Sequence, residues 1–534
     1  MAKLTIDDQV IEVPDGTRLF DACRLARGED LPHFCYHPDL SVAGVCRLCQ
    51  VEIEGLPKLT IACNTTVRDG MVVRTRSPRV QQAVKQVLEM HLINHPVDCP
   101  ICDQAGECGL QDQYMDYGLY ESEVAKSDKV LKRKAKIIGP HVILDQERCV
   151  LCSRCVRFCE EVTGTGELGI YNRGDRAEID VAPGVELANN YSLNTVDICP
   201  VGALTSRDFR FQKRVWLLRS TPGICPGCAT GCNVRLDHAG GRIYRLKPRR
   251  NDEVNGPWMC DGGRMTYKDV HADERLIQPL HRREGGLAEL PWQQAREIFG
   301  GLIKPGSVAF AVTDPRQSLE ELVLFQRLAG RLVGEAQLAG GVAGEGDAAG
   351  DSLLLADDRR PNRQALAWLG LPELPPAELA AALAEARGVL LVYGGDPLAH
   401  PDIAAAARRL RIVYMGTHRG TTAAAAELVV PLCAWAEKDA LWVNRHGRIQ
   451  RGQRAVAPPG LAREDWRVLV EILVHLGDDP GAADLPALRR VVAQRLQLAD
   501  ADVLNRLPAT GLVPEVPTVP LQSDAPDSAT NGGS

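Results

Sequence analysis

The chain has 534 residues, 45% of them hydrophobic and 5% aromatic, and its formal net charge is −7. This length is enough for several hydrophobic cores, and the negative charge argues against a general nucleic-acid binder, which would present a basic surface. No apolar stretch approaches the roughly 20 residues that cross a bilayer, and the first residues lack the apolar segment of a signal peptide. We therefore expect a cytoplasmic chain.

The start of the chain predicts strands and helices around a cysteine loop. Residues 4–13 alternate like two strands around a turn, residues 17–27 follow a helical pattern, and a loop with cysteines spans 33–49. Ser77 and Pro78 predict a helix start, with the serine as cap and the proline in the first turn. Apolar residues at helical spacing continue this helix until the next proline ends it.

The rest of the chain divides into regions of different amino-acid composition. Two further cysteine-rich units span 139–211 and 218–270. Beyond them, residues 307–312 and 388–395 predict buried parallel strands, each followed by a helical segment, which is typical of an α/β domain. Residues 334–351 predict a flexible insertion, because they are rich in glycine and alanine.

Cysteine is the most informative residue type. The chain has 18 cysteines, and all of them except Cys433 precede residue 261. Because a reducing cytosol disfavours structural disulfides, dense cysteines in a cytoplasmic chain usually bind metal. The sequence therefore predicts a metal-rich first half.

The first candidate site has the spacing C-x10-C-x2-C-x13-C and consists of Cys35, Cys46, Cys49 and Cys63. Plant-type [2Fe–2S] ferredoxins also use two close cysteines, one upstream and one distant, although their first gap is shorter. Gly44 lets backbone amides bend toward the cluster sulfurs, where hydrogen bonds raise the potential. The preceding strand–strand–helix pattern resembles a β-grasp ferredoxin and favours [2Fe–2S] over the alternative, a four-cysteine zinc site.

The second candidate site has three cysteines, Cys99, Cys102 and Cys108, and needs a fourth donor. His95 is the nearest histidine, and His91 lies one turn earlier. Because His91 falls in the apolar stripe of its helix, we predict packing for it and ligation for His95. A neutral imidazole in place of a thiolate removes one negative charge and should raise the potential of a [4Fe–4S] cluster. The residues alone leave zinc as an alternative.

The third candidate site contains the run C-x2-C-x2-C-x3-C, which is the bacterial ferredoxin signature for [4Fe–4S]. In two-cluster ferredoxins the fourth cysteine of a run completes the other cluster. This logic groups Cys149, Cys152 and Cys155 with the distant Cys199, and would give Cys159 to a second cluster. No further cysteines precede Cys199 to form that cluster, so we predict that Cys159 is a buried thiol.

The fourth candidate site has the spacing C-x2-C-x3-C-x27-C and consists of Cys225, Cys228, Cys232 and Cys260. Gly227 and Gly231 give the loop freedom to wrap a [4Fe–4S] cluster, and zinc is again the alternative. Of the other cysteines, Cys23 and Cys433 are predicted to be structural. Arg47 and Arg154 lie inside cluster loops and either tune potential through their charge or lie solvated on the surface.

The order of these motifs resembles the large iron–sulfur subunit (the G chain, or chain 3) of bacterial NADH:quinone oxidoreductase, respiratory complex I. The likeness covers residues 1–275 and rests on NHPVDCPICDQAGECGLQD (94–112), CVLCSRC, DICPVGALT (197–205) and CPGCATGC. It implies cluster ligands at the cysteines of the four sets and at His95, and none at Cys159. Residues 275 to about 475, mainly 426–451, resemble more weakly a molybdopterin oxidoreductase fold.

The predicted fold is therefore multidomain, with α+β and α/β parts. We predict a β-grasp [2Fe–2S] ferredoxin-type domain, a helical His/Cys3 [4Fe–4S] domain, a ferredoxin-like [4Fe–4S] domain, a [4Fe–4S] domain of molybdopterin-oxidoreductase type, a shortened, non-catalytic molybdopterin-oxidoreductase-like α/β domain and a disordered tail. In the same order they cover residues 1–78, 79–120, 139–212, 218–274, 275–510 and 511–534.

The resemblance implies an electron-transfer subunit of a proton-translocating NADH:quinone oxidoreductase, without a substrate-transforming site of its own. Its cofactors would be one [2Fe–2S] and three [4Fe–4S] clusters, with no molybdopterin and no flavin on this chain. Its partners would be the NADH/FMN-binding flavoprotein subunit, a small [2Fe–2S] subunit and a ferredoxin-type two-cluster subunit, at the inner face of the plasma membrane. The rival interpretations are an NAD-linked formate dehydrogenase or hydrogenase subunit and a zinc-stapled scaffold.

Overall fold

The computed structural model describes residues 1–118, 120–122, 124–333 and 337–515. The chain forms two compact units, Met1–Leu218 and Arg219–Ser534, and each is described by itself. Among the described residues, no helix is both long and apolar enough to cross a membrane.

The first unit begins with a five-stranded sheet in the order β2-β1-β5-β3-β4, in which β1 and β5 are parallel and the other pairs antiparallel. Its elements are β1 (Ala2–Ile6), β2 (Gln9–Val13), α1 (Leu19–Arg27), β3 (Gln50–Ile53), β4 (Thr60–Ile61) and β5 (Val72–Arg74). The predicted pair of strands and the following helix are confirmed. Phe20 of α1 is fully buried against the sheet, in a core that also contains Cys49 and Cys63.

Two helices follow, α2 (Pro78–Leu92) and α3 (Gly109–Tyr117). The predicted start of α2 is confirmed, because the Ser77 hydroxyl accepts a hydrogen bond from the Val80 amide at 3.3 Å. The buried face of α2 consists of Val80, Val84, Leu88 and Leu92. Because this face packs inward, the last turn of α2, which carries His91, lies beside the first cysteine loop.

The remainder of the first unit has two small sheets and two helices. A three-stranded sheet has the order β10-β7-β6, and β8 pairs with β9. The elements are β6 (Lys136–Ile137), β7 (Val142–Leu144), α4 (Arg154–Glu161), β8 (Leu168–Tyr171), β9 (Glu178–Val181), α5 (Asn194–Asp197) and β10 (Leu204–Ser206). Helix α4 begins inside the ferredoxin-type cysteine run, so its first turns lie beside the third candidate site.

The second unit opens with an antiparallel sheet and two short helices: β11 (Arg219–Ile224), β12 (Asn233–Ala239), β13 (Arg242–Pro248), α6 (Asp261–Met265) and α7 (Tyr267–Val270). The loop between β11 and β12 and the start of α6 carry the fourth set of cysteines. A seven-stranded sheet follows, in the order β15-β14-β22-β21-β20-β16-β17, with parallel pairing from β22 to β17.

The elements of this larger part are the following: β14 (Leu280–Arg283), β15 (Gly286–Glu289), α8 (Trp292–Leu302), β16 (Val308–Val312), α9 (Leu319–Leu332), β17 (Leu338–Ala339), β18 (Gly341–Val342), α10 (Arg363–Leu369), β19 (Glu373–Leu374), α11 (Pro376–Glu385), β20 (Val389–Tyr393), α12 (Pro401–Ala407), β21 (Arg411–Gly416), α13 (Thr421–Ala425), β22 (Leu428–Pro431), β23 (Ala440–Val443), β24 (Ile449–Gly452), α14 (Asp465–His475) and α15 (Leu485–Arg495).

Side chains of the central strands alternate between two apolar cores. In β20, Leu391 belongs to the core that contains α9 and α14, while Leu390 and Val392 belong to the core that contains α11 and α12. Both faces of the sheet are therefore covered, which explains why its strands read as continuous apolar runs. The predicted parallel strands at 307–312 and 388–395 are confirmed.

Two expectations about flexible segments are wrong in part. Residues 334–336 lie outside the described residues, but Leu338 and Ala339 form β17 and pair with the edge of β16. Their apolar side chains are buried in the two cores, which orders a segment whose composition suggested flexibility. Similarly, Leu512 exchanges two backbone hydrogen bonds with Ile449, so the predicted tail at 511–534 begins with an ordered bridge. Residues 516–534 lie outside the described residues.

Candidate iron–sulfur sites

The structure brings the four cysteines of the first set together in the interior of the first unit. The sulfurs of Cys35 and Cys46 lie 3.4 Å apart, and the Cys63 thiol is a hydrogen-bond neighbour of both Cys35 and Cys49. All four side chains are buried, with exposed fractions of 1 to 3%. Hydrogen bonding from Cys46 lowers the pKa of Cys35, and hydrogen bonding from Cys63 lowers the pKa of Cys49. The hydrogen bond with Cys35, together with burial, raises the pKa of Cys46 and of Cys63, so two of the four thiols keep their protons and a bound metal would have to replace them.

Backbone conformation accounts for this arrangement. Gly44 has a φ of +63° and Arg47 a φ of +58°, so the loop turns twice through the left-handed region around Cys46. The Val45 and Cys46 amides, which lie between these turns, hydrogen-bond to the Cys35 sulfur. The Phe34 amide lies 3.4 Å from the Cys46 sulfur. The predicted role of Gly44 as a turning point of the loop is in keeping with this geometry.

The second set lies around the loop that joins α2 to α3. Cys102 and Cys108 are buried, and Cys99 is partly exposed. Glycine at position 202 is required for this packing, because a Cβ there would lie 2.3 Å from the Cys102 sulfur. Burial raises the pKa of Cys108 to about 11.

The two histidine candidates of this region have different surroundings. The His91 Nε2 lies 3.0 Å from the Cys46 carbonyl oxygen, and its ring packs edge-on against Phe34 at 5.1 Å. His91 thus supports the first cysteine loop. Burial lowers the pKa of His95 to about 4, so its imidazole is neutral at physiological pH and can donate a lone pair to a metal. The Val97 amide donates to its Nδ1 at 3.0 Å, so the proton of the neutral ring lies on Nε2. Iron at Nδ1 would replace the Val97 contact, and iron at Nε2 would require the proton to move to Nδ1, which would also end that contact.

The third set surrounds one cavity. A space of about 20 Å³ is lined by Cys149, Cys152, Cys155 and Cys199, together with apolar side chains. Left-handed backbone at Leu151 (φ 52°) and Ser153 (φ 60°) wraps the first three cysteines around this space. Burial raises the pKa of Cys149 to about 12 and that of Cys152 to about 11, so a bound metal would have to replace their protons.

Cys159 does not line the cavity of the third set. Its side chain is fully buried on α4, and burial raises its pKa to about 12. Cys23 is also fully buried, with a pKa raised to about 12 by burial. Cys433 is 1% exposed, and its amide donates to Asp465 at 3.0 Å. These surroundings are those of packed thiols.

The fourth set lies in the second unit, between β11 and β12 and at the start of α6. The Gly227 amide lies 3.4 Å from the Cys225 sulfur, and the Gly263 amide lies 3.3 Å from the Cys260 sulfur. A Cβ at Gly263 would lie 3.0 Å from one of these sulfurs and 3.2 Å from the other. A side chain at this position of α6 would therefore press on both sulfurs, which shows how closely the backbone approaches the fourth set.

The donor chemistry of the four sets fits iron–sulfur clusters. Each set gathers thiols, all of them buried except the partly exposed Cys99, Cys149 and Cys199. Backbone amides point at the sulfurs in the first, third and fourth sets. Across the described ranges, no group of three or more His, Cys, Asp or Glu side chains is arranged to hold a single metal ion. A cluster differs from a single ion, because a [2Fe–2S] cluster would take two thiolates on each iron and a [4Fe–4S] cluster one donor on each, so that no single iron would need three of these side chains.

The third set lies next to both other sets of its unit. The charge of Cys35 contributes to raising the pKa of Cys152, and the charge of Cys199 contributes to raising the pKa of Cys108, so these pairs lie close enough to interact electrostatically. The Gly109 amide also donates to the Pro200 carbonyl at 2.9 Å, which joins the loops of the second and third sets. Sequence reasoning missed this spatial order, because the third set follows the second along the chain.

Sequence reasoning also left the location of Arg154 open. Its side chain is 9% exposed and lies between the first and third cysteine loops, so the alternative of a solvated surface residue is wrong. Arg157 lies in the same place and was not singled out. The signal that could have found both is their spacing with Glu161, which puts the three residues on one face of α4.

Several protein-family profiles match the chain. The matches are to a 2Fe-2S iron-sulfur cluster binding domain (1–78), the NADH-ubiquinone oxidoreductase-G iron-sulfur binding region (85–123), the ferredoxin-like domain of NADH-quinone oxidoreductase subunit 3 (139–205), the molybdopterin oxidoreductase Fe4S4 domain (218–272) and molybdopterin oxidoreductase (373–474). The mixed α/β fold thus contains iron–sulfur and molybdopterin-oxidoreductase-like domains.

Known proteins align with most of the chain. The NADH-quinone oxidoreductase G subunit of Rickettsia felis is 29% identical, over 93% of this chain and 91% of that protein. The mitochondrial NADH-ubiquinone oxidoreductase 78 kDa subunit of Neurospora crassa is 30% identical, over 94% and 84%. The G subunit of Rickettsia bellii is 42% identical over 57% of this chain, but this alignment spans only 44% of that protein. The chain therefore belongs to the family of NADH-quinone oxidoreductase G subunits, the iron–sulfur electron-transfer subunits of that oxidoreductase.

Proposed function

We propose that the chain holds one [2Fe–2S] cluster and three [4Fe–4S] clusters. The [2Fe–2S] ligands are the first set (Cys35, Cys46, Cys49 and Cys63), and the [4Fe–4S] ligands are the second set (His95, Cys99, Cys102 and Cys108), the third (Cys149, Cys152, Cys155 and Cys199) and the fourth (Cys225, Cys228, Cys232 and Cys260). The observation that carries this proposal is that Cys199, distant in sequence, lines the same cavity as the three cysteines of the ferredoxin run.

Each cluster, when bound, accepts and releases one electron at a time. Because the third set adjoins both others of its unit, we propose the order first, third, second for electrons crossing Met1–Leu218. The flavoprotein and small [2Fe–2S] subunits would supply electrons at the first set. A ferredoxin-type two-cluster subunit would receive them from the second, on the way to quinone at the inner face of the plasma membrane, and the whole complex would translocate protons.

The side chains around the sites support this route by their chemistry. Burial of the thiols excludes water, and amides directed at the sulfurs stabilise the extra negative charge of a reduced cluster. At the second set, Lys129 donates to the His95 carbonyl at 2.9 Å, and Arg148 lies near Cys102. These positive charges favour the reduced state at the site where electrons leave the unit.

The domain arrangement that we propose follows the sequence prediction. The five-stranded sheet with α1 would be a β-grasp ferredoxin fold, and residues 275–510 a shortened molybdopterin-oxidoreductase-like scaffold without catalysis. Cys433 supports the latter proposal, because a thiol buried in an apolar and ionic core is poorly placed to bind molybdenum. The fourth cluster would contribute more to assembly and stability than to turnover.

The experiment compares substitutions of two buried cysteines within residues 1–78. Cys46→Ser in the complete chain, purified anaerobically, should remove the [2Fe–2S] paramagnetic signal and leave the [4Fe–4S] signals. Cys23→Ser is the matched control, since Cys23 is also buried but lies outside the ligand set. Its iron and sulfide content should equal that of the unmodified chain.

Two results would contradict the proposed function. One is a colourless chain that contains zinc and no acid-labile sulfide. The other is an unmodified chain whose iron and sulfide amount to fewer than about two clusters.

A further inference from the structure

One face of α4 connects the first and third candidate sites. Arg154, Arg157 and Glu161 follow one another at helical spacing, and all three contact the segment that contains Cys35. Arg154 donates to the Tyr36 carbonyl at 2.5 Å, and Arg157 donates to the Cys35 carbonyl at 2.5 Å. The Glu161 carboxylate accepts hydrogen bonds from the Ser41 amide at 2.8 Å and from its hydroxyl at 2.5 Å. The helix thus fastens the first cysteine loop to the third site.

Both arginines also contact the loops of the third set. Arg154 donates to the Ile198 carbonyl at 3.0 Å, immediately before Cys199, and Arg157 lies 3.5 Å from the Cys152 carbonyl. Each guanidinium therefore bridges one loop of each site. A rigid bridge of this kind keeps the spacing of the two sites constant.

The charge of Arg154 has unusual surroundings. In the part of the chain that the structure describes, Arg154 forms no ion pair with a carboxylate, and its Nε atom has no hydrogen-bond partner. Arg154 lines the cavity of the third set together with its four cysteines, and its guanidinium donates to the carbonyl of the residue that follows Cys35. A buried charge without a counter-charge is costly, so the thiolates of the two sites are the natural partners of this guanidinium.

Arg157 differs in this respect. Although burial opposes the shift, hydrogen bonds from Ser41 and the charge of Arg157 lower the pKa of Glu161. Arg157 thus has a carboxylate neighbour that partly balances its charge. Arg47, which also lies in the first cysteine loop, is exposed to solvent, where water screens its charge.

We propose that Arg154 is a shared positioning residue that supplies the compensating positive charge for both the first and the third cluster and thereby raises both reduction potentials. The proposal rests on the proposed function, since it requires clusters at both sites. When one electron enters either cluster, that cluster becomes more negative by one charge, and no proton or leaving group is involved. A fixed positive charge between the two sites therefore favours the reduced form of both.

The test is a redox titration of the assembled complex, followed by paramagnetic resonance of both clusters. Arg154→Met removes the charge and keeps an unbranched side chain, and Arg154→Gln removes the charge but keeps one donor group. In both variants we expect the equilibrium constant for reduction of each cluster to fall about tenfold, which lowers each reduction potential by about 59 mV for a one-electron couple. Arg154→Lys should restore most of the shift, and Arg47→Gln, which deletes an exposed charge from the same loop, should leave both potentials in place.

Three outcomes would overturn the proposal: unchanged potentials in the neutral variants, a shift of only one cluster, or a shift equally large in Arg47→Gln. If the neutral variants lose both clusters, retention in Arg154→Lys supports the need for the charge, and loss in all three variants contradicts it. Iron content and cluster signals of the unmodified complex test the proposed function separately, because their absence would refute that function before any potential is compared.

Discussion

The two compact units differ in what fills their interiors. In Met1–Leu218 the buried positions include the thiols of three candidate sites and arginines such as Arg148 and Arg154. In Arg219–Ser534 a seven-stranded sheet carries apolar residues on both faces, with helices over each. We therefore expect the first interior to depend strongly on bound metal in addition to its apolar core, and the seven-stranded sheet of the second unit to depend on apolar area removed from water.

The largest expected difference between the two units is their loss of hydrogen-exchange protection when iron is removed. If the clusters are removed, no apolar side chains fill the space between the thiols of the first unit. Chelation should therefore abolish hydrogen-exchange protection in β1, β5 and α4. Strands β20 and β21 of the second unit should keep their protection, since their core contains no metal ligand. Hydrogen exchange of the complete chain before and after anaerobic chelation measures both. Equal loss in the two units would show that they share one source of stability.

A cavity in the sheet should have the opposite effect. Leu391 is fully buried in the core with α9, so Leu391→Ala should lower the free energy of unfolding by about 2–5 kcal/mol. The cluster signals should not change. Val474→Ala, at a residue that is 51% exposed, is the control and should cost less than about 0.5 kcal/mol. Urea titration provides the free energies, and loss of a cluster signal in Leu391→Ala would contradict the separation of the cores.

The second unit also contains a buried ionic group that should respond to pH. Asp465 lies 3.4 Å from the Lys438 ammonium and accepts a hydrogen bond from Tyr393 at 3.1 Å. Burial and the charge of Glu321 raise its pKa to about 7, against the opposing charge of Lys438. The folded state therefore holds a proton that the unfolded state releases near pH 4, so the contribution of Asp465 to stability falls as pH rises from about 4 to about 7.

Asp465→Asn tests this dependence. The amide cannot ionise, so the stability of the unmodified chain relative to the variant should fall between about pH 4 and about pH 7, by up to ~1.4 kcal/mol per pH unit. Above about pH 7.5 the difference should become constant. Urea titrations of both chains at a series of pH values measure it, and a difference that grows with pH would mean that Asp465 is ionised throughout.

The smallest effect is expected at Cys159. Since its thiol lies outside the cavity of the third set, Cys159→Ala should retain all iron and sulfide. Cys155→Ala, one helical turn earlier, is the matched control and should lose the ferredoxin-like [4Fe–4S] signal. Iron and sulfide analysis of the two variants decides the matter, and loss of four irons in Cys159→Ala would refute the assignment.

Much of the fold could be predicted because it depends on short stretches of sequence. The Ser77–Pro78 helix start and the apolar strands at 307–312 and 388–395 follow from capping and periodicity, which act over a few residues. The segment at 334–351 was misjudged in part, because the pairing of Leu338 with β16 depends on a strand distant in sequence. Amino-acid composition indicates the local conformational preference of a segment, but it does not indicate which distant strand the segment pairs with.

The candidate sites also combine features that local sequence predicts with features that depend on distant segments. Spacing alone grouped the close cysteines, and the absence of partner cysteines before Cys199 predicted a packed Cys159. The ligand assignments themselves stay predictions, although the structure gathers each of the four cysteine sets. The His91 contact with the Cys46 carbonyl was not foreseen, because it joins two segments that no local pattern relates.

The sequence by itself determined the kind of chemistry, since closely spaced cysteines and glycines dictate loops that can hold a cluster. It also determined the family, through the order of those loops along the chain. Only the tertiary structure decided that the third site adjoins both the first and the second, and that Arg154 is buried between the loops of the first and third sites. The physical reason is that ligand spacing acts through the backbone, whereas the neighbours of a site, and the charges they bring, depend on how distant segments pack.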